Sequence, residues 1–305
     1  MPSGFDRESN PTMSRTPIKL DRLTPTHGIV ALLMGLAAAL VTGDVWRDIR
    51  FIASRDDEYS HIFLVPLVAL WLVWVRRVRL RHCPVSGTLL GPLLAGVGWW
   101  TSQYGFNHGM QSLWHGGALL VVVGAVISVL GKHVLFRFFP AIVVLLFLVP
   151  FPGEQRQMIA LPLQAWTAQI SKVLLDVMRV ETEISGNTLT INGVPVMIAE
   201  ACNGMRLVFP LLLVAYAFAY GLPLRDSVRL LILAAAPLTA LACNVLRTLP
   251  TVWLYGRNNE LVARQFHDWS AWAMLPLAFL VLLGLLRVLR WAALPVERYT
   301  LASQS

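Results

Sequence analysis

Long apolar runs, repeated along most of the chain, restrict most strongly what this sequence can fold into. The runs are continuous and lack both the alternation of a half-buried strand and the stripe of an amphipathic helix. Repeated membrane spans are therefore favoured over one large soluble core. Hydrophobic residues make up 56% of the 305 residues and charged residues only 14%, a balance that soluble domains rarely show. We expect an all-α polytopic membrane protein.

The apolar runs predict about eight transmembrane helices. Residues 1–27 and 292–305 are expected to form cytoplasmic tails on either side of a transmembrane domain at 28–291. The predicted spans are roughly 28–43, 61–76, 88–104, 113–130, 134–150, 206–221, 228–254 and 270–289.

Basic residues indicate how these spans are oriented. The net charge of +8 comes with arginines gathered at the ends of apolar runs, so we expect membrane lipids as neighbours and no nucleic-acid partner. With eight crossings the basic loops share one side. The positive-inside rule makes it the cytoplasmic side of the cytoplasmic (inner) membrane, with both termini there. The loop at 44–60 and the insert at 151–205 then lie on the outer face.

The outer insert is expected to hold two small elements. Residues 158–180 predict a helix with polar side chains along one side, which is typical of an interfacial or re-entrant helix. Residues 188–198 predict a small extracytoplasmic β-hairpin. Asn192-Gly193 separates two apolar-rich runs there and suits a turn with positive φ at both central residues.

Three reactive or charged residues from distant parts of the chain are predicted to share the outer level. Cys202 precedes the sixth span, Arg247 lies about two turns inside the outer end of the seventh, and His267 precedes the eighth. A thiolate is favoured by positive charge and by a helix N-terminus. Histidine acts as base or acid in acyl transfer, and arginine stabilises an oxyanion. Together they predict an acyl-transfer site.

Each of these residues also fits a purely structural role. A free cysteine in an apolar interior is usually inert, as expected for Cys243 within its apolar run. A histidine at a membrane interface is more often a packing residue than a catalyst. Arg247 is harder to explain in this way, because an arginine inside a span is costly and usually faces a cavity or a partner.

Other polar residues near the outer face are expected to support the site or bind substrate. Tyr59 and His61 lie in an acidic segment that reads either as a solvated loop or as part of the same pocket. Glu200 and Asp268 flank the proposed catalytic residues and are expected at most to tune them. The supporting set is completed by Asn203, Arg206 and Asn244.

These segments resemble a known family. Glu58-Tyr-Ser-His61, Ala201-Cys202-Asn-Gly-Met-Arg206, Asn244-Val-Leu-Arg247 and His267, in this order, are similar to the exosortase/archaeosortase family over about residues 45–290. The resemblance implies that Cys202, Arg247 and His267 are a catalytic triad. Asn203 stands where the family often has serine.

The resemblance also implies an activity, that of a cysteine protease and transpeptidase. Its substrates would be exported proteins whose C-terminal sorting signal has a short motif, often Pro-Glu-Pro, then a transmembrane helix and a basic tail. Cys202 would attack the peptide carbonyl just outside the membrane, Arg247 would hold the oxyanion, and His267 would protonate the leaving amine. The resulting thioester passes to an acceptor, and no metal or organic cofactor is expected.

Two other functions fit the same residues in part. A polytopic transporter would use Arg247 in a polar cavity as the counter-ion of its substrate, but it would give Cys202 no role. A membrane acyltransferase would use the same cysteine on a lipid. The peptidase and the acyltransferase would both form a thioester that can be trapped, whereas a transporter would not.

Overall fold

The computed structural model of the chain describes residues 23–84, 88–151, 153–185, 188–191, 193–197, 205–257 and 259–291. Over these residues the fold is almost entirely helical. Short 3₁₀ helices cover Asp57–Leu64, Arg77–His82 and Val144–Leu148. The α-helices are α1 Pro25–Val41, α2 Gly43–Arg55, α3 Val65–Val75, α4 Leu90–Asn107, α5 Gln111–Leu130, α6 Lys132–Arg137, α7 Phe139–Val143, α8 Gly153–Val177, α9 Met205–Gly221, α10 Asp226–Tyr255 and α11 Glu260–Trp291.

Several of these helices are long and apolar enough to cross a membrane. Four segments qualify alone, and the total rises to six if two bent pairs each count as one span. The pairs are α1 with α2, bent by 78°, and Phe139–Leu148 with α8, bent by 94°. The chain is a multi-pass membrane protein, and the count of eight spans stays a prediction. The four segments are Glu58–Val75, Gln111–Leu130, Asp226–Tyr255 and Trp272–Leu289.

Residues 44–60, which the sequence suggested as an outer loop, are mostly helical. α2 turns sharply from α1, and the 3₁₀ helix Asp57–Leu64 then leads into α3. Within α2 the buried residues Val45, Ile49 and Ala53 recur every four positions, so one face of an amphipathic helix packs on the protein. The many charges of this segment hid that apolar stripe.

α4 and α5 form an antiparallel pair whose contact is a line of glycines. Gly91, Gly98 and Gly105 recur every seven residues along α4, and Gly117 and Gly124 face them from α5. A Cβ atom at Gly98 would lie only 2.7 Å from the carbonyl oxygen of Gly117, so the two backbones are in direct contact. Small residues at such a seam let membrane helices approach closely.

Residues 151–205, the predicted outer insert, contain a helix and a small antiparallel sheet in their described part. The predicted helix at 158–180 is present over 158–177 as part of α8, and the predicted hairpin is present as two of three strands. Ile191 pairs with Val194 across a two-residue connection in which Gly193 has a φ of +80°. The strands, in sheet order, are β1 Thr182–Ser185, β2 Thr188–Ile191 and β3 Val194–Met197.

Apolar packing joins these elements to the last three helices. Leu189 and Ile191 of the sheet and Leu175 of α8 are fully buried in one cluster with Val252, near the end of α10. A separate cluster binds α9, α10 and α11 to one another along their apolar faces. The sheet, α8 and α11 therefore surround the C-terminal third of α10, which carries the polar residues described next.

Candidate active site

Arg247 and His267 are in direct contact. Arg247 lies on α10, two turns before the helix ends, and its side chain is only 1% exposed. Its Nη2 atom donates a hydrogen bond to Nε2 of His267, with 2.6 Å between the two nitrogens. His267 lies on α11 ahead of the apolar stretch Trp272–Leu289. The reversal of the chain from α10 to α11 thus brings together two residues that the sequence placed at one level.

This contact defines the protonation state of His267. A guanidinium can only donate, so Nε2 must accept, and the neutral imidazole then carries its proton on Nδ1. Burial, followed by the positive charges of Arg247 and Arg206, lowers the pKa of His267 and outweighs the opposite effect of Asp268. The Nδ1 atom lies 3.7 Å from Oδ1 of Asp268. His267 is therefore a neutral base at pH 7.

Arg247 belongs to a polar stripe along an otherwise apolar helix. Asn244, Arg247, Thr248 and Thr251 follow the spacing of one helical face, and all four are buried. Thr251 Oγ1 donates to the carbonyl oxygen of Arg247 at 2.8 Å. Polar side chains at membrane depth are costly and face the protein interior or a cavity. The stripe therefore marks the face of α10 that forms the candidate site.

α8 covers this stripe from the side. Asn244 Nδ2 donates to Thr167 Oγ1 at 3.1 Å, and Thr167 Oγ1 donates to the carbonyl oxygen of Leu163. Over the described part of the chain, Asn244 Oδ1 and Ser171 Oγ are buried without a hydrogen-bond partner. The contact between α8 and α10 is therefore polar at its centre and has hydrogen-bonding capacity left over.

Tyr59 and His61 are buried and bonded to backbone. The Tyr59 hydroxyl donates to the carbonyl oxygen of Phe151 at 2.8 Å, and His61 Nδ1 lies 3.0 Å from the carbonyl oxygen of Glu58. The His61 ring stacks on Phe209 of α9, with 5.4 Å between centroids. These contacts fix the 3₁₀ helix Asp57–Leu64 against the start of α9. In the described contacts, Tyr59 and His61 therefore both stabilise the packing of this 3₁₀ helix.

Arg156 is a residue that the sequence analysis missed. Its Nη1 atom donates to Glu58 Oε2 at 2.6 Å and to Asp56 Oδ2 at 3.3 Å, so α8 is tied to the acidic segment. Glu58 is only 6% exposed, and a buried carboxylate requires such a partner. The excess of acid at 56–58 was the available signal, because acidic side chains that become buried require a cation from another segment of the chain.

The structure describes some of the predicted site residues and not others. Glu200, Cys202 and Asn203 lie outside the described residues, just before α9 begins at Met205. Arg206, in the first turn of α9, is close enough for its charge to act on His267. The charges of Arg206 and Arg247 therefore both act on His267. Arg206 follows Cys202 by four residues in the sequence.

The two other cysteines are buried. Cys243 packs in the apolar cluster between α9, α10 and α11, as the sequence indicated. Cys83 follows the 3₁₀ helix Arg77–His82, and its thiol is buried and donates to the carbonyl oxygen of Arg79. Burial raises the pKa of the Cys83 thiol. Neither thiol is exposed as a nucleophilic thiolate would be, although the charge of Arg137 lies beside Cys83.

The fold and the site define a multi-pass membrane protein in which a buried arginine contacts a partly buried histidine near one end of the helices. The chain matches the family model described as transmembrane exosortase (Exosortase_EpsH) over residues 46–284, well over half of its length. It therefore belongs to the transmembrane exosortase family. No curated protein and no solved structure matches the chain.

Proposed function

We propose that this chain is a cysteine peptidase and transpeptidase that removes the C-terminal sorting signal of exported proteins. It acts at the outer face of the cytoplasmic membrane, with both termini in the cytoplasm. The observation that carries the proposal is the 2.6 Å contact between Arg247 and His267 within a buried polar stripe. Membership of the exosortase family supports the same activity.

His267 acts first as a base. Nε2 takes the proton of the Cys202 thiol once its hydrogen bond from Arg247 breaks, because a ring nitrogen has a single lone pair, and this leaves a thiolate and an imidazolium. A protonated Nε2 can no longer accept from Arg247, and two positive charges in contact repel each other. Proton transfer therefore keeps the Arg247 guanidinium away from His267 once the nucleophile has formed.

Arg247 then acts on the transition state. The Cys202 thiolate adds to the scissile carbonyl, and the oxygen gains a negative charge and accepts hydrogen bonds from the released guanidinium. The intermediate collapses as the C–N bond breaks, and the imidazolium of His267 gives its proton to the leaving amine. The products are a thioester on Cys202 and a free C-terminal segment, and an acceptor nucleophile resolves the thioester.

The proposal includes eight membrane crossings. The four apolar segments and two bent pairs supply up to six. α4 and α9 supply the remaining two, although α4 is less apolar and α9 is short. The glycine seam supports this assignment for α4, because it holds α4 along the length of α5, which is itself a candidate span.

Co-expression with a substrate tests the proposed activity. The substrate is an exported protein with a short motif, an apolar helix and a basic tail, and mass spectrometry reads its C-terminus. Cys202→Ala should abolish processing at unchanged expression because it removes the nucleophile. Cys243→Ala is the matched control and should retain activity, since its thiol lies in an apolar cluster. Processing by Cys202→Ala would refute covalent catalysis by this residue.

A further inference from the structure

The opposite end of α10 carries a cluster of arginines that the proposed reaction does not use. Arg229 lies in the first turn of α10, 18 residues before Arg247, and a helix of that length is about 27 Å long. Three further arginines reach the same place from other elements. They are Arg76 after α3, Arg79 in the 3₁₀ helix Arg77–His82, and Arg137 at the end of α6.

Tyr220, near the end of α9, organises two of these side chains. Arg76 Nη2 donates to the carbonyl oxygen of Tyr220 at 2.8 Å. The guanidinium carbon of Arg229 lies 5.4 Å from the centre of the Tyr220 ring. One residue thus anchors two guanidinium groups by different contacts, and neither contact neutralises a positive charge.

The arginines are close enough to repel one another. Burial, followed by the positive charges of Arg79 and Arg229, lowers the pKa of Arg76 to about 10. Arg137 Nη1 donates to the carbonyl oxygen of Arg79 at 3.5 Å, which adds a fourth cation to the cluster. A merely solvated basic surface would let its long side chains separate, whereas the side chains of Arg76, Arg137 and Arg229 are held by backbone and ring contacts.

Arg229 also has donor capacity to spare. Its Nη1 atom donates to Oδ1 of Asp226 at 3.0 Å. Its Nε atom is buried, and within the described ranges no acceptor reaches it. An anion with several oxygens would compensate the repulsion and accept from more than one guanidinium, and phosphate matches the planar donor pairs of arginine.

We propose that Arg76, Arg79 and Arg229 form a binding site for a phosphate group. The phosphate belongs to the headgroup of an anionic phospholipid or is free inorganic phosphate. Basic pockets between transmembrane helices bind lipid headgroups in this way. The site lies at the end of α10 remote from Arg247 and is independent of the proposed reaction.

The test uses the full-length protein in nanodiscs and measures its thermal unfolding midpoint and, by native mass spectrometry, retained lipid. Nanodiscs of phosphatidylcholine alone are compared with the same discs plus inorganic phosphate and with discs containing phosphatidylglycerol. If the midpoint rises in discs that contain phosphatidylglycerol but not with inorganic phosphate, the lipid headgroup is the ligand. A higher midpoint with inorganic phosphate identifies the free anion. No rise in either condition overturns the proposal.

Variants separate this site from general surface charge. Each of Arg76→Gln and Arg229→Gln should weaken retention of phosphatidylglycerol roughly fivefold, the effect of one basic residue beside an anionic headgroup. Arg287→Gln, which removes an exposed arginine from α11, is the matched control and should change retention little. Arg79→Gln serves as a third variant if the half-buried Arg76 is needed for folding. Equal losses in Arg287→Gln and Arg229→Gln would refute a specific site.

Discussion

Two helical hairpins of this protein pack in opposite ways. The contact between α4 and α5 consists of glycine backbones, and its one described cross-helix side-chain bond joins Ser102 Oγ to the Trp114 carbonyl oxygen. The contact between α10 and α11 is apolar along most of its length and then brings Arg247 against His267. The first hairpin contains no charged residue along its seam, whereas the second buries one.

The two hairpins distinguish residues that membrane helices need for packing from residues that they keep for another purpose. Close backbone approach is sufficient for α4 and α5, and small residues provide it. A buried arginine adds nothing that glycine, alanine or leucine cannot supply, and it carries a large desolvation cost. The polar stripe of α10 is therefore best explained by chemistry. The predictions below test whether function and stability divide between the two hairpins in this way.

The largest effect after removal of the nucleophile is expected at Arg247. Arg247→Lys keeps the positive charge but loses the planar pair of donors, so processing should slow on the order of 100- to 1,000-fold. Substrate pull-down should change far less, because the interaction strengthens mainly in the transition state. A processing time course with purified protein in nanodiscs gives both quantities.

Arg257→Lys is the matched control for this variant. Arg257 lies just beyond the end of α10, is exposed, and rests on the Trp253 ring at 4.0 Å. Its replacement should leave processing near the wild-type rate. If Arg247→Lys also processed at that rate, or if Arg247→Ala bound no substrate at all, Arg247 would be a structural or recognition residue.

The sequence placed Arg247 and His267 at one level, and the two are in contact, but it missed parts of the fold around them. A charged residue inside an apolar run is conspicuous, and the spans on either side set the levels of Arg247 and His267. The amphipathic α2 was missed because its charges masked a four-residue repeat. Strand β1 was missed because Thr182-Glu-Ile-Ser carries no turn signal of its own. The bond from Arg156 to Glu58 spans 98 residues, and no local pattern reports such a pairing.

Protonation of His267 is expected to have a smaller effect on processing activity. Because its pKa lies below the ordinary value of 6.5, the neutral base should persist as the pH falls below 6.5, and activity should be lost only at lower pH. The pH dependence of folding stability has the same sign as that of activity. The contribution of His267 to folding is complete above pH 6.5 and is lost as the pH falls through the folded pKa.

Two variants should move this acid limb in opposite directions. Asp268 raises the pKa of His267 and Arg206 lowers it. Asp268→Asn should therefore shift the limb to lower pH, and Arg206→Gln should shift it to higher pH, in normalised pH profiles of processing. Shifts in the same direction, or an acid limb that neither variant moves, would show that a different group controls the profile.

The smallest effect on chemistry is expected in the glycine hairpin, where stability should change instead. Gly98→Val places a branched side chain against the backbone of Gly117 and should lower the free energy of unfolding by about 1–3 kcal/mol, the usual result of overpacking. Gly96→Val is the control on the same helix, because a Cβ there meets nothing within 4 Å, and valine favours a helix slightly more than glycine does. Thermal unfolding in nanodiscs measures the difference.

The processing rate per folded molecule should stay at the wild-type value in both variants, since neither glycine belongs to the polar stripe. If Gly98→Val slowed processing of folded protein as strongly as Arg247→Lys does, the two hairpins would be coupled, and the division between packing and chemistry would be wrong.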